Sequence, residues 1–347
     1  MTRPHDWAAM LQALLRGEDL DARTTAEAMA EIMRGDVAPA HLVGFLVALR
    51  AKGESAEEIA GLAASMRSFA LPLKIPAGAV DTCGTGGDRA GTFNISTVAA
   101  LVAAGAGAEV VKHGNRAASG KCGSADLLEA WGVVIDLPPE GVEACVDALG
   151  IGFCFAPTFH PAMRHVMPTR RELGVPTVFN YLGPLTNPGG VTHQTIGVAD
   201  PALAPKMAAV LARLGADHAL VFHAEDGLDE LTTTAASHIW EVRDGDVRQW
   251  RIDPEELGLP RARLSDLAGG DLADNRRVAE RVLEGERGPC RDVAVLGAAA
   301  ALYAADRVGS IAEGLDAAHA SIDEGDAASL LDRWVALSRR QAAAQDS

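Results

Sequence analysis

The stretch that decides the fold runs from residue 79 to residue 97 and reads AVDTCGTGGDRAGTFNIST. A strand-like run ends at Thr82, the glycine loop follows at residues 84–88 (GTGGD), and residues 94–97 (NIST) lead into an alanine-rich helix. Glycines let the backbone approach an anion closely, and the free amides at a helix start point toward it. The stretch therefore predicts a strand, a phosphate-binding loop and a helix. A tight turn capped by Ser96 or Thr97 is the alternative.

The glycine loop differs from the two common nucleotide-binding patterns. No Gly-Lys-Ser/Thr follows it, as a Walker A loop requires, and its spacing is not that of the dinucleotide fingerprint GxGxxG. Asp88 is unsuited to contact with a bare phosphate, because both groups are anions. This residue suits a ligand that also presents hydroxyl groups or a bound metal ion.

The chain after Pro72 alternates short β-branched runs with alanine-rich helical runs. Such alternation is typical of an α/β domain with a mostly parallel sheet. One stretch departs from it: two strand-like runs within 239–250 flank Asp244-Gly245, which predicts a β-hairpin. The other predicted elements are strands at 79–82, 108–111 and 218–222, and helices at 97–104, from Pro201 to Gly215 and within 293–342.

The N-terminal segment predicts helices alone. Thr24 with Glu27 and Ser55 with Glu58 each fit a capping box, in which two side chains satisfy free backbone amides at a helix start. Residues 41–49 (HLVGFLVAL) are apolar on nearly every side of a helix, which indicates burial in a core or at a subunit interface. We therefore expect a small helical unit ahead of the α/β unit.

Composition excludes several classes of protein. The chain has 347 residues, of which 48% are hydrophobic and 22% charged, so neither disorder nor a collagen-like repeat dominates it. A net charge of −16 disfavours broad nonspecific binding to nucleic acid, although a local basic pocket is compatible with it. Five cysteines without a CxxC pair, and the lack of an apolar run suited to a membrane span or an export signal, predict a cytoplasmic protein.

Residues 110–126 read VVKHGNRAASGKCGSAD and concentrate positive charge. Lys112, His113, Arg116 and Lys121 lie within this stretch, and its acids come only at the end. A loop at the end of a buried strand is where α/β sheets usually bind ligands. We interpret the stretch as a second anion site; a solvated basic loop is the alternative.

Residues 160–174, HPAMRHVMPTRRELG, form a second basic stretch. Pro168 is predicted to end one helix, and Thr169 with Glu172 predicts the capped start of another. Arg170 would then lie in a first turn, where the helix dipole disfavours cations. That cost suggests a purpose, namely to bind a carboxylate with the guanidinium fork. An ordinary surface arginine is the alternative.

An acidic pair follows the predicted strand at 218–222. Residues 223–231 read HAEDGLDEL, in which Asp229 and Glu230 are adjacent. Hard carboxylate oxygens at a strand exit suit Mg²⁺, which commonly keeps several waters and bridges phosphates. Adjacent acids are usually only solvated, so the pair gains meaning from the two anion loops. The cations of the two basic stretches predict a locally positive cleft opposite these acids.

These segments together resemble those of the anthranilate phosphoribosyltransferase family. The matching motifs are GTGGD with NIST, KHGNR followed by GSAD, HPAMRHV with RRELG, and EDGLDEL. The resemblance implies a fold like that of glycosyltransferase family 3: an all-α N-terminal domain beside a larger α/β domain with a mostly parallel sheet. It implies a helical domain at 1–72, completed by residues around 160–185, and a catalytic domain at 73–347. It also implies a homodimer formed through the helical domain.

The resemblance further implies transfer of the phosphoribosyl group of phosphoribosyl pyrophosphate (PRPP) to the amine of anthranilate, the second step of tryptophan biosynthesis from chorismate. About two Mg²⁺ ions per site would be bound through Ser96, Asp229 and Glu230. Anthranilate would contact Gly84, His113, Asn115 and Arg170. PRPP would contact Gly84, Thr85, Gly86, Gly87, Asp88, Thr92, Asn94, Ser96, Thr97, Lys112, Ser119 and Ser124. No general base is assigned, because an aromatic amine is already a neutral nucleophile.

Two departures from the family pattern and two rival functions stay open. Gly120 and Cys122 stand where the family often has serine, which could move one phosphate contact to a backbone amide. Tyr181 stands where the family commonly has Leu or Ile, and we expect a change of packing there without loss of activity. A pyrimidine nucleoside phosphorylase shares the architecture, but the GLDE, KHGN and FNIST segments favour the transferase. A non-catalytic nucleic-acid-binding relative is disfavoured by the net charge of −16.

Overall fold

The N-terminal part of the molecule is helical in the computed structural model, which describes residues 6–117 and 122–345. Its helices are α1 (Trp7–Leu15), α2 (Ala22–Arg34), α3 (Pro39–Lys52) and α4 (Ala56–Ser68). The capping box of α4 is confirmed, since Ser55 Oγ accepts from Glu58 N–H at 3.2 Å and the Glu58 carboxylate accepts from Ser55 N–H at 2.8 Å. The box predicted for Thr24 and Glu27 is wrong, because Asp21 caps α2 by accepting a hydrogen bond from Thr24 N–H.

Helix α3 buries one face and exposes the other. Leu42, Phe45 and Leu49 are buried, whereas Val47 is 44% exposed in the single chain. Gly53 follows the helix with a φ of 87°, in the left-handed region that favours glycine. The predicted apolar helix is therefore a core helix on one side, and its other side faces solvent in the single chain.

A seven-stranded sheet forms the centre of the larger unit in the described residues. Its strands are β1 (Val80–Gly84), β2 (Val110–Gly114), β3 (Ile151–Phe155), β4 (His193–Gly197), β5 (His218–Ala224), β6 (Ser237–Arg243) and β7 (Asp246–Ile252). Their spatial order is β3-β2-β1-β4-β5-β6-β7. Strands β1 to β5 pair in parallel, and β6 and β7 pair antiparallel. The predicted fold class, with its mostly parallel sheet, is confirmed.

The order of the strands reverses at β1. Strands β2 and β3 lie on one side of it, and β4 and β5 lie on the other. At such a reversal the connections run to opposite sides, which leaves a crevice at the carboxyl ends of the strands where α/β proteins bind ligands. The glycine loop begins at the carboxyl end of β1, so it lies at this crevice.

The remaining helices cover the sheet or connect its strands. They are α5 (Ile95–Gly105), α6 (Ser124–Trp131), α7 (Pro139–Leu149), α8 (Ala156–Phe159), α9 (Met167–Leu173), α10 (Phe179–Leu182), α11 (Ala204–Arg213), α12 (Leu272–Leu283), α13 (Pro289–Ala304), α14 (Ile311–Asp323) and α15 (Asp326–Gln345). Helices α5 and α13 pack on each other through buried apolar side chains. No helix in the described part of the chain combines the length and the apolar composition that crossing a membrane needs.

Most predicted elements are present, with shifted ends. The predicted hairpin is confirmed: Asp244 and Gly245, with φ of 51° and 84°, join the antiparallel strands β6 and β7. The strand predicted at 108–111 starts later and runs further, because β2 continues its ladder with β3 over its whole length. The helix predicted to open at Pro201 begins only at Ala204, after a turn.

Buried apolar side chains form two clusters. The larger one surrounds the sheet together with α5, α13 and α15. The second joins the N-terminal helices to residues 166–185 and to side chains of β4, β5 and α11. Val166, Val178, Phe179 and Leu182 belong to it. The helical unit thus packs with the residues that the sequence predicts to complete it, while the domain limits themselves stay a prediction.

Candidate functional site

Two paired glycines at the carboxyl ends of β1 and β4 leave room for an aspartate to pack against them. Gly84 and Gly197 are partners in the parallel ladder, and Thr85 N–H donates to the Gly197 carbonyl at 2.9 Å. A Cβ atom on Gly84 would lie 2.4 Å from Asp229 Oδ2, and one on Gly197 would lie 1.6 Å from the Asp229 carbonyl oxygen. A side chain at either position would displace Asp229, which explains the need for glycine at both.

The glycine loop is fastened to this aspartate. Gly86 N–H donates to Asp229 Oδ2 at 2.6 Å. Gly86 and Gly87 have φ of 69° and 93°, and Arg89 has a φ of 58°, so the loop passes through left-handed conformations. Asp88 Oδ1 accepts from Ala90 N–H at 3.1 Å, and the Asp88 carboxylate lies close enough to Asp229 to affect its pKa. The result is a tight loop whose backbone a ligand can approach closely.

Three carboxyl groups meet beside the loop. Burial, followed by the negative charge of Asp88, raises the pKa of Asp229 above its ordinary range. Burial, followed by the negative charge of Asp229, raises the pKa of Glu230 in the same way. The charge of Lys112 and, more weakly, the backbone N–H of Ser96 at the start of α5 oppose this rise in the pKa of Glu230. A cation bound here would relieve the repulsion among the carboxylates.

Lys112 is a buried cation at the same place. Its ammonium group donates to the Thr82 carbonyl and lies 3.3 Å from Ser96 Oγ. Its charge opposes the effect of burial on the pKa of Glu230 and of Asp81 in β1. Lys112 therefore lies next to the start of α5, where its charge favours a bound anion.

The donor set suits Mg²⁺ that arrives with a phosphate ligand. Within residues 6–117 and 122–345, no group of three or more His, Cys, Asp or Glu side chains is arranged to hold a metal ion by itself. Asp229 and Glu230 offer carboxylate oxygens, and Mg²⁺ commonly completes its shell with waters and substrate phosphates. The other predicted ligand, Ser96, lies beside the ammonium of Lys112, so a cation there needs the negative charge of a bound phosphate.

Asn94 occupies the N-cap of α5, so the alternative of a cap by Ser96 or Thr97 is wrong. The Asn94 side chain makes no capping bond; its Nδ2 donates instead to the Gly123 carbonyl at 2.8 Å. The Thr97 hydroxyl is buried and has no hydrogen-bond partner in the described structure. Asn94, Ser96 and Thr97, three of the residues predicted to bind the phosphates of PRPP, thus lie together at one helix start, where backbone amides favour an anion.

The second predicted anion loop is less positive than its sequence indicates. Arg116 pairs with Asp126 at 3.0 Å and with Glu129 at 2.7 Å. Burial and the neighbouring His160 lower the pKa of His113 to about 3, so this imidazole is neutral. Four residues of the loop lie outside the described residues: Ala118, Ser119, Gly120 and Lys121. Arg116 and His113 therefore add less positive charge than the sequence indicates, whereas Lys112 stays a buried cation beside the start of α5. The locally positive cleft stays a prediction.

Asn115 and Ser124 are neighbours at the carboxyl end of β2. Ser124 Oγ lies 3.3 Å from the Asn115 carbonyl oxygen, and Asn115 Oδ1 accepts from Arg116 N–H at 2.8 Å. A Cβ atom on Gly114 would lie 2.3 Å from Ser124 Oγ, so only glycine allows this approach. The structure thus brings a predicted anthranilate contact beside a predicted PRPP contact.

The second basic stretch folds differently from its prediction. Pro168 lies within the first turn of α9, so it does not end a helix, and the capping box of Thr169 and Glu172 is wrong. Arg170 and Arg171 lie in the last turn of α9, where the helix dipole favours cations. Arg170 therefore does not occupy an unfavourable position in the helix dipole, and the prediction that it lies in a first turn is wrong.

The guanidinium of Arg170 nevertheless has the features of a ligand contact. It lies over the ring of Phe179 at 5.4 Å and is partly buried, whereas the neighbouring Arg171 is exposed. Burial alone lowers the pKa of Arg170, and among the described residues no carboxylate pairs with it. Its other contact is a weak hydrogen bond to Met167 Sδ at 3.8 Å, so the guanidinium has donors left for a carboxylate ligand.

A turn at residues 183–187 is held by side chains from several elements. Its first four carbonyl oxygens contact His113 Nδ1 at 3.1 Å, Gln194 Nε2 at 2.8 Å, Arg67 Nε at 2.6 Å and His160 Nε2 at 3.0 Å, in chain order. The rings of His113 and His160 lie 5.0 Å apart. Because Arg67 belongs to α4 and His113 to β2, the turn joins the helical unit to the sheet beside the site.

Sequence reasoning missed two residues that build the site. Gly197 admits Asp229, and Asn275 Oδ1 accepts from Asn94 N–H at 3.1 Å. A glycine that closes a buried strand was the available signal for Gly197. Nothing in the local sequence around Asn275 indicates its contact, because the partner lies in a distant segment.

Comparison with protein families matches two models to the chain. The model described as "Glycosyl transferase family, helical bundle domain" matches residues 8–70. The model described as "Glycosyl transferase family, a/b domain" matches residues 77–328, which is most of the chain. The helical bundle and the sheet with its glycine loop are thus each similar to a known domain.

Similarity to individual proteins extends over nearly the whole chain. A relative from Nocardioides sp. named anthranilate phosphoribosyltransferase is 52% identical over 339 residues, which cover 96% of this chain and 99% of the relative. The crystal structure of anthranilate phosphoribosyltransferase from Thermus thermophilus has a TM-score of 0.90 and 47% identity, covering 95% of this chain and 99% of that one. The Saccharomyces cerevisiae protein of that name, in complex with PRPP and Mg, has a TM-score of 0.88 and 28% identity, covering 97% and 99%.

Proposed function

The chain belongs to the anthranilate phosphoribosyltransferase family, and we propose that it transfers the phosphoribosyl group of PRPP to the amine of anthranilate. The products are N-(5-phosphoribosyl)anthranilate and pyrophosphate, the second step of tryptophan biosynthesis from chorismate. The observation that carries the proposal is the junction of the glycine loop, the acidic pair and the start of α5, where Asp229 accepts from Gly86 N–H and the Lys112 ammonium lies beside Ser96 Oγ. A ligand with both a diphosphate and a bound cation suits that junction.

PRPP binds along the glycine loop and the start of α5 in this proposal. Two features support it: the loop backbone is open to close approach, and the helix amides and Lys112 favour bound phosphate. The proposed contacts are Gly84, Thr85, Gly86, Gly87, Asp88, Thr92, Asn94, Ser96, Thr97, Lys112, Ser119 and Ser124. Asp88 is free to contact the ribose hydroxyls as well as the acidic pair.

The chemical step breaks the bond between the anomeric carbon and the pyrophosphate oxygen and forms a bond from that carbon to the anthranilate nitrogen. Positive charge develops on the sugar, and negative charge develops on the leaving pyrophosphate. Lys112 and the amides at the start of α5 stabilise that negative charge from fixed positions. The loop and the helix hold the donor in one orientation toward the amine.

Mg²⁺, when bound, supplies charge neutralisation of the diphosphate. Asp229 and Glu230 would hold one ion, and Ser96 would contribute to a second, so that about two ions serve each site. The mutual repulsion of Asp88, Asp229 and Glu230, seen in the raised pKa of the latter two, supports a cation at this point.

Anthranilate binds on the side of the site nearer the helical unit. Arg170 pairs with its carboxylate, and Asn115 and Gly84 direct its amine toward the ribose. His113 lines the approach as a neutral imidazole, because its pKa of about 3 keeps it uncharged. No general base is required, since the amine attacks as a neutral nucleophile and can release its proton to solvent after the bond forms.

The active form is a homodimer joined through the helical unit, in the cytoplasm. Support for the interface comes from the solvent-facing side of α1 and α3, where Leu15 is 77% and Val47 is 44% exposed. Apolar side chains on such a face lose their contact with water when a second copy covers them. The proposed domain limits are 1–72 with about 160–185, and 73–347.

The direct test follows the fluorescence of anthranilate in the presence of PRPP and Mg²⁺. Loss of fluorescence with release of pyrophosphate is the expected result. Phosphorolysis of thymidine or uridine in place of transfer would indicate the nucleoside phosphorylase instead. Tight DNA binding in a gel shift at physiological salt, without turnover, would indicate the non-catalytic relative. A panel of aminobenzoates then defines the acceptor, since Arg170 alone would recognise any carboxylate.

A further inference from the structure

A segment far along the chain runs beside the outer edge of the glycine loop. Thr92 forms an antiparallel bridge with Ala268, and Phe93 N–H donates to the Leu267 carbonyl at 2.9 Å. Gly269 N–H donates to the Gly91 carbonyl, also at 2.9 Å. These backbone bonds fix the residues that connect the loop to α5.

Asn275 completes this contact with its side chain. It lies in α12 and is 2% exposed, and its Oδ1 accepts from Asn94 N–H at 3.1 Å. A Cβ atom on Gly269 would lie 2.6 Å from Asn275 Nδ2 and 2.7 Å from Phe93 Cα, so the glycine lets the amide reach the loop. The side chain thus reaches the backbone of Asn94, the residue that caps α5.

Asn94 connects the two anion loops. Its carbonyl accepts from Thr97 N–H and Val98 N–H, both at 3.1 Å, which starts α5. Its side chain donates to the Gly123 carbonyl at 2.8 Å, immediately before α6. Any shift of the Asn94 backbone therefore moves the start of α5 and the edge of the second loop together.

Helix α12 is itself fixed in place. Asp271 caps it by accepting from Asp274 N–H at 2.9 Å, and Arg276 donates to the Ala130 carbonyl at the end of α6 at 3.0 Å. The helix thus touches both the element that starts at Asn94 and the element that starts after Gly123. Asn275 is the buried polar side chain that joins α12 to the proposed PRPP site.

We propose that Asn275 is a positioning residue for PRPP, which acts by holding the Asn94 backbone so that α5 and the second anion loop present their phosphate contacts in register. The proposal rests on the proposed function. Asn275 touches neither substrate in it; the residue acts through Asn94. Loss of the Asn275 side chain would leave the Asn94 N–H without its acceptor. The Asn94 backbone, which joins the two anion loops, would then be held less firmly.

Steady-state kinetics of Asn275→Ala test this role. We expect KM for PRPP to rise about tenfold, because a buried donor loses its partner. The values of kcat and of KM for anthranilate should stay within about twofold, since the reacting groups and Arg170 are untouched. Equal changes in both KM values, or a fall in kcat alone, would overturn the proposal, because general loosening of the fold would produce them.

Two further variants separate positioning from folding. Asn275→Asp keeps an oxygen acceptor for Asn94 N–H but adds negative charge near the proposed phosphates, so its informative readout is amide exchange: the Asn94 amide should exchange as slowly as in wild type. Arg277→Ala removes a surface ion pair with Asp274 on the same helix and should leave both KM values unchanged. If the Asn94 amide exchanges as fast in Asn275→Asp as in Asn275→Ala, the proposed hydrogen bond is not what protects it.

Amide exchange distinguishes failure of this proposal from failure of the proposed function. Without substrate, the Asn94 amide should exchange faster in Asn275→Ala than in wild type, whatever the reaction is. Unchanged exchange would show that the hydrogen bond from Asn94 N–H to Asn275 does not hold the Asn94 backbone, which would overturn the proposal. Absence of transferase turnover in the wild type, with faster exchange in the variant, would instead overturn the proposed function. It would leave intact the inference that Asn275 holds the Asn94 backbone.

Discussion

The backbone N–H of Gly86 donates to Oδ2 of Asp229 across 2.6 Å, which joins the glycine loop after β1 to the acidic segment after β5. The bond exists because Gly84 and Gly197, which have no side chains, leave room for Asp229 against the paired ends of β1 and β4. It places a carboxylate needed for a cation against a loop suited to an anion.

Replacing Gly84 with alanine should disable the site without unfolding the protein. The new Cβ would lie 2.4 Å from Asp229 Oδ2, which is fixed by its bond to Gly86, so the loop or the acid must move. We expect kcat/KM to fall by about a hundredfold, because the overpacking, which costs a few kcal/mol, would displace the glycine loop or Asp229 from the arrangement that binds PRPP. The measurement is the initial rate of anthranilate consumption at subsaturating PRPP.

Gly309→Ala is the matched control for that variant. Its new Cβ would also meet a carboxylate oxygen, Glu313 Oε2 at 3.0 Å, but this oxygen is the far end of an exposed side chain that can turn aside. Its rate should equal that of wild type. A Gly84→Ala enzyme that also keeps the wild-type rate would contradict the geometry described for Asp229.

Arg170→Lys should separate recognition of anthranilate from binding of PRPP. Lysine keeps the positive charge but loses the planar fork that a carboxylate bonds through two hydrogen bonds. We expect KM for anthranilate to rise about tenfold while KM for PRPP stays unchanged. Arg171→Lys, at the exposed neighbouring position, is the control and should behave as wild type. Equal effects of the two substitutions would remove Arg170 from the acceptor site.

Acid should destabilise the fold through the buried imidazoles of His113 and His160. Burial lowers their pKa to about 3 and about 4, below the ordinary value of 6.5. Between pH 6.5 and about 4, the two histidines of the unfolded chain therefore bind protons that those of the folded chain do not. Their contribution to the free energy of unfolding is fully present above pH 6.5 and is lost as the pH falls. For His160, the loss in the free energy of unfolding reaches roughly 3 kcal/mol once the pH is below about 4.

His160→Gln tests this linkage. Glutamine cannot take up a proton in this range, yet its amide can still donate toward the Thr186 carbonyl that His160 Nε2 contacts at 3.0 Å. The urea midpoint, measured at one protein concentration, should fall less between pH 7 and pH 4.5 in the variant than in wild type. Identical pH dependence in both proteins would show that His160 does not titrate with unfolding.

The features that sequence predicts well are those fixed by neighbouring residues. The strand, glycine loop and helix at residues 79–97, the capping box at Ser55, and the turn at Asp244-Gly245 depend on local backbone preferences, and each is present. The helix start near Arg170 is misplaced because Pro168 fits a first turn as well as it ends a helix. Local sequence permits both arrangements, and tertiary packing decides between them.

The features that sequence does not reveal are contacts between distant segments. Arg116 reads as a free cation, yet Asp126 and Glu129 on the following helix neutralise it. The hydrogen bond from Asn94 to Asn275 and the packing of Asp229 against the paired ends of β1 and β4 exist only once the fold is assembled. No periodicity or spacing in one sequence encodes such pairs, so the charge and rigidity of the site follow from the fold.

The central claim is that the acidic pair beside the glycine loop supports Mg²⁺-dependent transfer from PRPP to anthranilate. The most direct measurement is the rate of anthranilate consumption by the double variant Asp229→Ala, Glu230→Ala at saturating PRPP, with Mg²⁺ titrated from zero. We expect Mg²⁺-dependent turnover to be abolished while the variant remains folded by circular dichroism. A double variant with the wild-type rate and the wild-type dependence on Mg²⁺ would contradict it.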